Sequence, residues 1–281
     1  MDRPVHFPGA DREAQWFGDA FPGVTMPRID KLLLHTTETS TWPGYKGGKS
    51  APTLTYHPKK HRWRQHFAIN QSARALRDPN VTEVRENRAN VVQVEIICSC
   101  DPERIKKEGL PDVRKVDDEA LRDLGEFAAW LHREWGLPLV LTPDWLPFPA
   151  SAGPSKVRMS GPEYTAFKGI LGHQHAPAGK GDEDLGNEHG DPGALDVQRI
   201  LAFAKNAGTA MRGFAPAPGE EEEDVKPTDV VGFDVDPKTK KKTPITLEVF
   251  VGRMNWVYHQ LIEKGKVDAQ LDRIEEHVKK G

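Results

Sequence analysis

Two or three imidazoles, one aspartate and one isolated glutamate carry most of the reactive chemistry legible in this chain. His35 closes the apolar run of RIDKLLLH, while His173, His175 and His189 crowd around Asp191 in the segment GHQHAPAGKGDEDLGNEHGDPGALD. A catalytic zinc takes three protein ligands, commonly imidazole or carboxylate, and keeps one position open for water. A histidine after Gly172 and an aspartate followed by Pro192-Gly193 supply two candidate ligands, and His35 is the obvious donor of a third. Spacing alone fits such a metal site and a hydrogen-bonded polar cluster equally well, and it leaves His175 as an alternative to His173. Glu95 is the single charge in NVVQVEIIC, a run otherwise rich in β-branched residues, so its carboxylate requires an explanation. His6, His57, His61, His132, His259 and His277 lie in polar or helical settings where a solvated or half-buried imidazole is the default. His66 fits a buried hydrogen-bonded residue or a groove contact, and Trp42, Tyr45 and Trp63 are read as loop aromatics, more often packed than used in recognition.

The elements that must position these groups follow from periodicity. Residues 28–35 and 90–98 read as buried strands, residues 64–70 as a strand by alternation, and residues 139–142 as a further short strand. Residues 53–57 begin a short helix or strand, and residues 162–170 form a turn or helix leading into GILGHQHAP. Apolar residues at 121, 124, 127, 128, 131 and 135 predict a helix over residues 117–135, capped by Asp117 or Asp118 and ended by Gly136 and Pro138. Residues 193–207 read as a second amphipathic helix. Strands interspersed with helices predict an α/β fold with a central mixed β-sheet.

Length and composition bound the class. A chain of 281 residues accommodates one substantial domain and something smaller. Its net charge of −3 gives no overall attraction to nucleic acid or anionic lipid, so neither is an expected partner. The run Leu32-Leu33-Leu34 is far short of the roughly 20 apolar residues of a membrane span, and MDRPVHFPGADREAQ lacks a basic region followed by an apolar one. The expectation is therefore no membrane insertion, no signal peptide and synthesis in a cytoplasm. Cys98 and Cys100, two residues apart in a strand, are expected to be thiols rather than a disulfide.

Residues 1–212 are assigned to the catalytic domain. FAPAPGEEEEDVKPT within residues 213–228 combines Pro, Gly and five acidic residues, the composition of an extended, self-repelling linker. Residues 229–281 make a small, mainly helical C-terminal module, with a hairpin signal at Asp236-Pro237 and apolar residues at 247, 250, 254, 257 and 261. That stripe suits a helical hairpin burying its own face, or self-association.

Three motifs in order, HTTE, the strand glutamate and GHQH…HGDPGALD, resemble the type 2 N-acetylmuramoyl-L-alanine amidases of the amidase and peptidoglycan-recognition superfamily, most of all the amidase domains of actinobacteriophage endolysins. The resemblance covers roughly residues 25–208. It implies Zn²⁺ as cofactor, with His35, His173 and Asp191 as its ligands. Glu95 matches the glutamate that orients or deprotonates the attacking water, and His189 matches a position, often lysine, that steadies the oxyanion. Bacterial peptidoglycan is the implied partner, and the implied reaction is hydrolysis of the amide between N-acetylmuramic acid and L-alanine, after release from the host cytoplasm to the wall. A non-catalytic peptidoglycan-binding protein of the same fold, a cytoplasmic muropeptide-recycling amidase and a virion component assembled through its C-terminal helices are the alternatives.

Overall fold

The computed structural model describes residues 3–76, 90–177 and 190–207, together with two strands at 230–235 and 242–246. The chain divides into two units, Met1–Ala217 and Pro218–Gly281. The first is built on a six-stranded sheet: β1 (Ala10–Asp11), β2 (Lys31–Thr36), β3 (Leu54–His57), β4 (Arg62–Gln65), β5 (Val91–Ile96) and β6 (Gly169–Gly172), in the order β1-β4-β3-β5-β2-β6. It is a mixed sheet: β2 pairs in parallel with β5 and β6, β3 pairs in parallel with β5, and β3 and β4 run antiparallel. Among the described residues four α-helices accompany it, α1 (Pro102–Glu108), α2 (Asp118–Trp135), α3 (Gly161–Ala166) and α4 (Val197–Asn206). The α/β class read from the sequence is the observed one.

The central strands are buried on both faces, which is why β2 reads as one apolar run instead of alternating. One face carries Leu32, Leu34, Leu54, Tyr56, Val92, Val94, Ile96 and Ile170, packed with Leu121, Leu124, Phe127 and Leu131 of α2 and with Ile200 and Ala204 of α4. Gly125 lets the two helices touch: a Cβ there would lie 2.6 Å from the Phe203 Cβ and 2.8 Å from the Ile200 carbonyl oxygen. On the opposite face Leu33, Val91 and Leu171 meet Tyr164 of α3. That second face also carries His35 and Glu95, because side chains alternate along a strand. Helix α2 has the caps its sequence promises. The Asp117 side chain accepts from the Ala120 N–H at 2.8 Å, and Gly136 closes the helix at φ 76°.

Several expected boundaries are corrected. The strand expected at 64–70 is β4, ending at Gln65, because the left-handed His61 (φ 51°) starts it early. The strand expected at 139–142 is only a bridge between Leu141 and Ile170. Helix α4 starts at Val197, not residue 193, since the Asp196 side chain caps it by accepting from the Arg199 N–H. Trp63 lies in β4 and is core, and Tyr45 is buried, so neither is a free loop aromatic. Cys98 and Cys100 are both free thiols. In the second unit, β7 (Val230–Val235) and β8 (Lys242–Thr246) form an antiparallel hairpin; the helical stretch expected over 247–281 lies outside the described residues. No helix among the described residues is long and apolar enough to cross a membrane.

Beneath the sheet face that carries Glu95, His66 is fully buried. Its Nδ1 lies 2.8 Å from the Gln15 carbonyl oxygen, so Nδ1 holds the proton and Nε2 accepts from the Thr55 hydroxyl at 2.9 Å. Burial pushes the imidazole down from 6.5 to about 4, against the opposing Gln15 hydrogen bond. The unfolded chain thus takes up a proton near 6.5 that the folded chain refuses until about 4. Stability from this group is complete above pH 6.5 and is lost as pH falls towards 4, by about 3 kcal/mol. Urea unfolding at about pH 7 and about pH 4.5 should show a smaller acid loss in His66→Asn than in the native sequence; equal losses would assign the acid sensitivity to other groups.

Candidate metal centre

A single transverse row of the sheet places chemistry side by side. Registers pair Asp11 with Arg64, Arg64 with Thr55, Thr55 with Glu95 and Glu95 with His35. Paired neighbours sit about 4.8 Å apart and point to the same face. Leu34 pairs with Gly172, so the row continues to His173, the first residue beyond β6. Gly172 has no room for a side chain, since a Cβ there would stand 2.5 Å from the Pro192 Cδ and 2.7 Å from the Trp145 ring. That closeness brings the 190–193 turn against the end of β6. The Gln174 N–H donates to the Asp191 carbonyl at 2.9 Å, and the Thr36 N–H donates to the Asp191 Oδ2 at 3.0 Å.

His35, His173 and Asp191 meet there, with one ligand atom of each within 4.8 Å of the others. The two Nδ1 atoms lie 3.1 Å apart, His35 Nδ1 is 3.4 Å from Asp191 Oδ2, and His173 Nδ1 is 3.0 Å from Asp191 Oδ1. Tetrahedral ligands bound at about 2.0–2.1 Å stand about 3.3–3.4 Å from one another, and the observed separations of 3.0, 3.1 and 3.4 Å, to two different Asp191 oxygens, lie close to that spacing. Two imidazole nitrogens and a carboxylate oxygen are also the donor set of such a site, and these three side chains could hold a metal ion. His35 and Asp191 are buried, whereas His173 faces outward in part, with 14% of its side chain exposed. Burial works to raise the Asp191 carboxyl, but His173 and His35 outweigh it and hold the group well below the usual carboxylate range.

His175 is placed elsewhere. Its Nδ1 meets the Gly172 backbone at 3.0 Å, and its Nε2 lies 2.6 Å from the Asp144 carbonyl oxygen and 3.1 Å from the Thr142 hydroxyl. Both ring nitrogens are thus spent on hydrogen bonds, and the histidine of GHQH that joins the cluster is His173. His189 lies outside the described residues.

Glu95 is half-buried, yet its Oε2 is fully covered and has no hydrogen-bond partner. Burial, followed by the charges of Asp191 and Glu38, pushes this carboxyl well above its ordinary value. A divalent cation held by the cluster would oppose that shift. Beyond the carboxyl ends of the strands opens a cleft of about 520 Å³ lined by Glu38, Cys100, Asp101, Arg104, Phe148, Gly190 and Asp191. Ligand clefts of open α/β sheets lie in that position. Asp191 therefore belongs both to the cluster and to the cleft wall.

Sequence reasoning did not single out Arg104 or Phe148, read Cys100 only as an ordinary thiol, and saw Glu38 only as a letter of HTTE. None of these has a local signal, because they meet only where the exits of β2 and β5 adjoin. Trp42 is engaged by Arg64, whose guanidinium stacks 4.3 Å from its ring centre.

No family model matches the chain, and no curated protein matches it. Among solved structures, a mutant structure of PlyL is similar at 11% identity, over 70% of this chain and 99% of that one, with a TM-score of 0.38. That degree of likeness carries neither fold nor function, both of which rest on the chain's own sheet and side chains.

Proposed function

We propose that this chain is a zinc-dependent hydrolase that cuts the amide between N-acetylmuramic acid and L-alanine in bacterial peptidoglycan, acting as a phage endolysin on the host wall. The observation that carries the reading is the convergence of His35, His173 and Asp191 on one point, with Asp191 also on the wall of a cleft and Glu95 beside His35 in the sheet. The resemblance in HTTE, the strand glutamate and GHQH…HGDPGALD supplies the substrate.

His35, His173 and Asp191 would hold the ion, which when bound supplies a Lewis acid and lowers the pKa of water at neutral pH. Glu95 takes the proton from the attacking water and returns it to the departing alanine nitrogen, so water and amide become a lactyl carboxylic acid and a free amine. The Thr36 N–H steadies Asp191, and His175 fixes the turn carrying His173 through the Gly172 backbone. His189 is assigned the task of steadying the developing oxyanion. In this reading residues 1–212 carry catalysis, residues 213–228 link, and residues 229–281 target the wall or self-associate.

Digestion of purified sacculi tests the assignment. Release of peptides with new N-terminal alanine, without new reducing sugar ends and abolished by a chelator, is expected. New reducing ends would make the chain a glycosidase, and retained activity in chelator would remove the metal. Faster cleavage of soluble muropeptides than of sacculi would turn the reading towards recycling.

A further inference from the structure

Glu38 does more than the HTTE motif suggests. Its backbone sits in the left-handed region at φ 54°, where a residue with a Cβ is uncommon. Such outliers persist only where the surroundings over-determine them, and they gather at functional sites. Here the surroundings are three separate stretches of chain. Glu38 Oε1 accepts from the Thr36 hydroxyl at 2.6 Å and from the Cys100 N–H at 3.1 Å. Its Oε2 accepts from the Ser99 hydroxyl at 2.5 Å and lies 3.6 Å from Arg104 Nη1. Its own N–H donates to the Cys98 carbonyl at 3.0 Å, and its carbonyl accepts from Arg104 Nη2 at 3.2 Å.

One side chain thus ties the exit of β2 to the exit of β5 and to α1, and it does so on the wall of the cleft. The link to the cluster is direct. Thr36 gives its hydroxyl to Glu38 and its backbone N–H to Asp191 Oδ2. A carboxylate already taken up by four donors is also a poor competitor for a cation, so Glu38 can stand near the cluster without becoming a further ligand.

We propose that Glu38 is a positioning residue for the metal centre: through Thr36 it fixes Asp191 for ligation, and its own saturation with donors keeps it out of the coordination sphere. This rests on the metal reading given above and adds a coupling that the ligand set alone does not contain. Partners one shell beyond the ligands commonly change metal affinity about 10–100-fold when lost.

The test measures zinc affinity of the full chain by competition with a chromophoric chelator, in the native sequence, Glu38→Gln, Thr36→Val and the double variant. Each single change is expected to weaken zinc about 10–100-fold. The double variant should be no weaker than the worse single by more than about twofold, since the two residues act in series. Glu108→Gln, which frees the other partner of Arg104, should leave zinc affinity unchanged. Excess zinc should restore peptide release in Glu38→Gln, and a native urea midpoint of the zinc-free variant separates lost affinity from a destabilised fold, which zinc would also rescue by mass action. If Glu38→Gln fails to fold, Thr36→Val alone decides. Native affinity in both single variants, or losses that multiply in the double, would overturn the coupling. A native chain that fails to bind zinc would overturn the metal reading itself, and with it this inference.

Discussion

His173→Ala is expected to lose its zinc, and with it nearly all hydrolysis, whereas His175→Ala keeps both. Removing one of three ligands forfeits a share of a binding free energy that reaches about 10–16 kcal/mol for structural zinc. Even a loss of about 3 kcal/mol weakens the ion more than a hundredfold. Hydrolysis should fall roughly 10³-fold or more, since the ion contributes several kcal/mol to the barrier. The ring nitrogens of His175 are taken up by the Gly172 backbone, the Thr142 hydroxyl and the Asp144 carbonyl, and its ring packs edge-on against Trp145. Its loss strands buried partners and costs about 1–3 kcal/mol of stability with the metal retained. Elemental analysis after dialysis, alongside peptide release from sacculi, reads both effects. Zinc retained by His173→Ala and lost by His175→Ala would reverse the assignment of the two histidines.

Glu95→Gln separates proton transfer from metal binding. The amide keeps the shape of the carboxyl and cannot take a proton, while His35, His173 and Asp191 remain. Zinc content should be native, KM little changed, and kcat lower by about 10²–10⁴, the usual contribution of a positioned base. The structure shows a carboxyl oxygen that the fold itself does not use, since Glu95 Oε2 is buried with no partner among the described residues. Leaving such an atom unpaired costs free energy that folding alone does not repay. Hydrolysis at the native rate by Glu95→Gln, with its zinc in place, would take Glu95 out of the chemistry.

Much of the scaffold was legible because local pattern and tertiary role agree. The 3.6-residue spacing of Leu121, Leu124, Phe127, Ala128 and Leu131 is the stripe that packs on the sheet, and the Asp117 and Gly136 signals mark its ends. The β-branched run of β5 and the aliphatic run of β2 are strands covered on both faces. Elements without such a pattern escaped. Helix α1, PERIKKE, buries none of its residues, so no periodicity announces it, and β1 is two residues held by its neighbour.

The candidate site divides along the same line. The sequence by itself determined which residue types are present: a histidine closing a strand, a carboxylate alone in an apolar one, and a second histidine with an aspartate among glycines. Spacing left His173 and His175 open, since they share one turn, and only the resemblance favoured His173. The tertiary structure brings His173, not His175, beside His35 and Asp191, by parallel pairing of β2 with β6 and by the hydrogen bonds that occupy both nitrogens of His175. The same holds for the contact between His35 and His173, 138 positions apart, and for the tie between Thr36 and Asp191 across 155. Pairing at such separations is set by the register of strands and the packing of whole faces, which no window of neighbouring residues encodes. Glu38 shows the limit most plainly, because its identity is local whereas all its meaning lies in the three stretches that close around it.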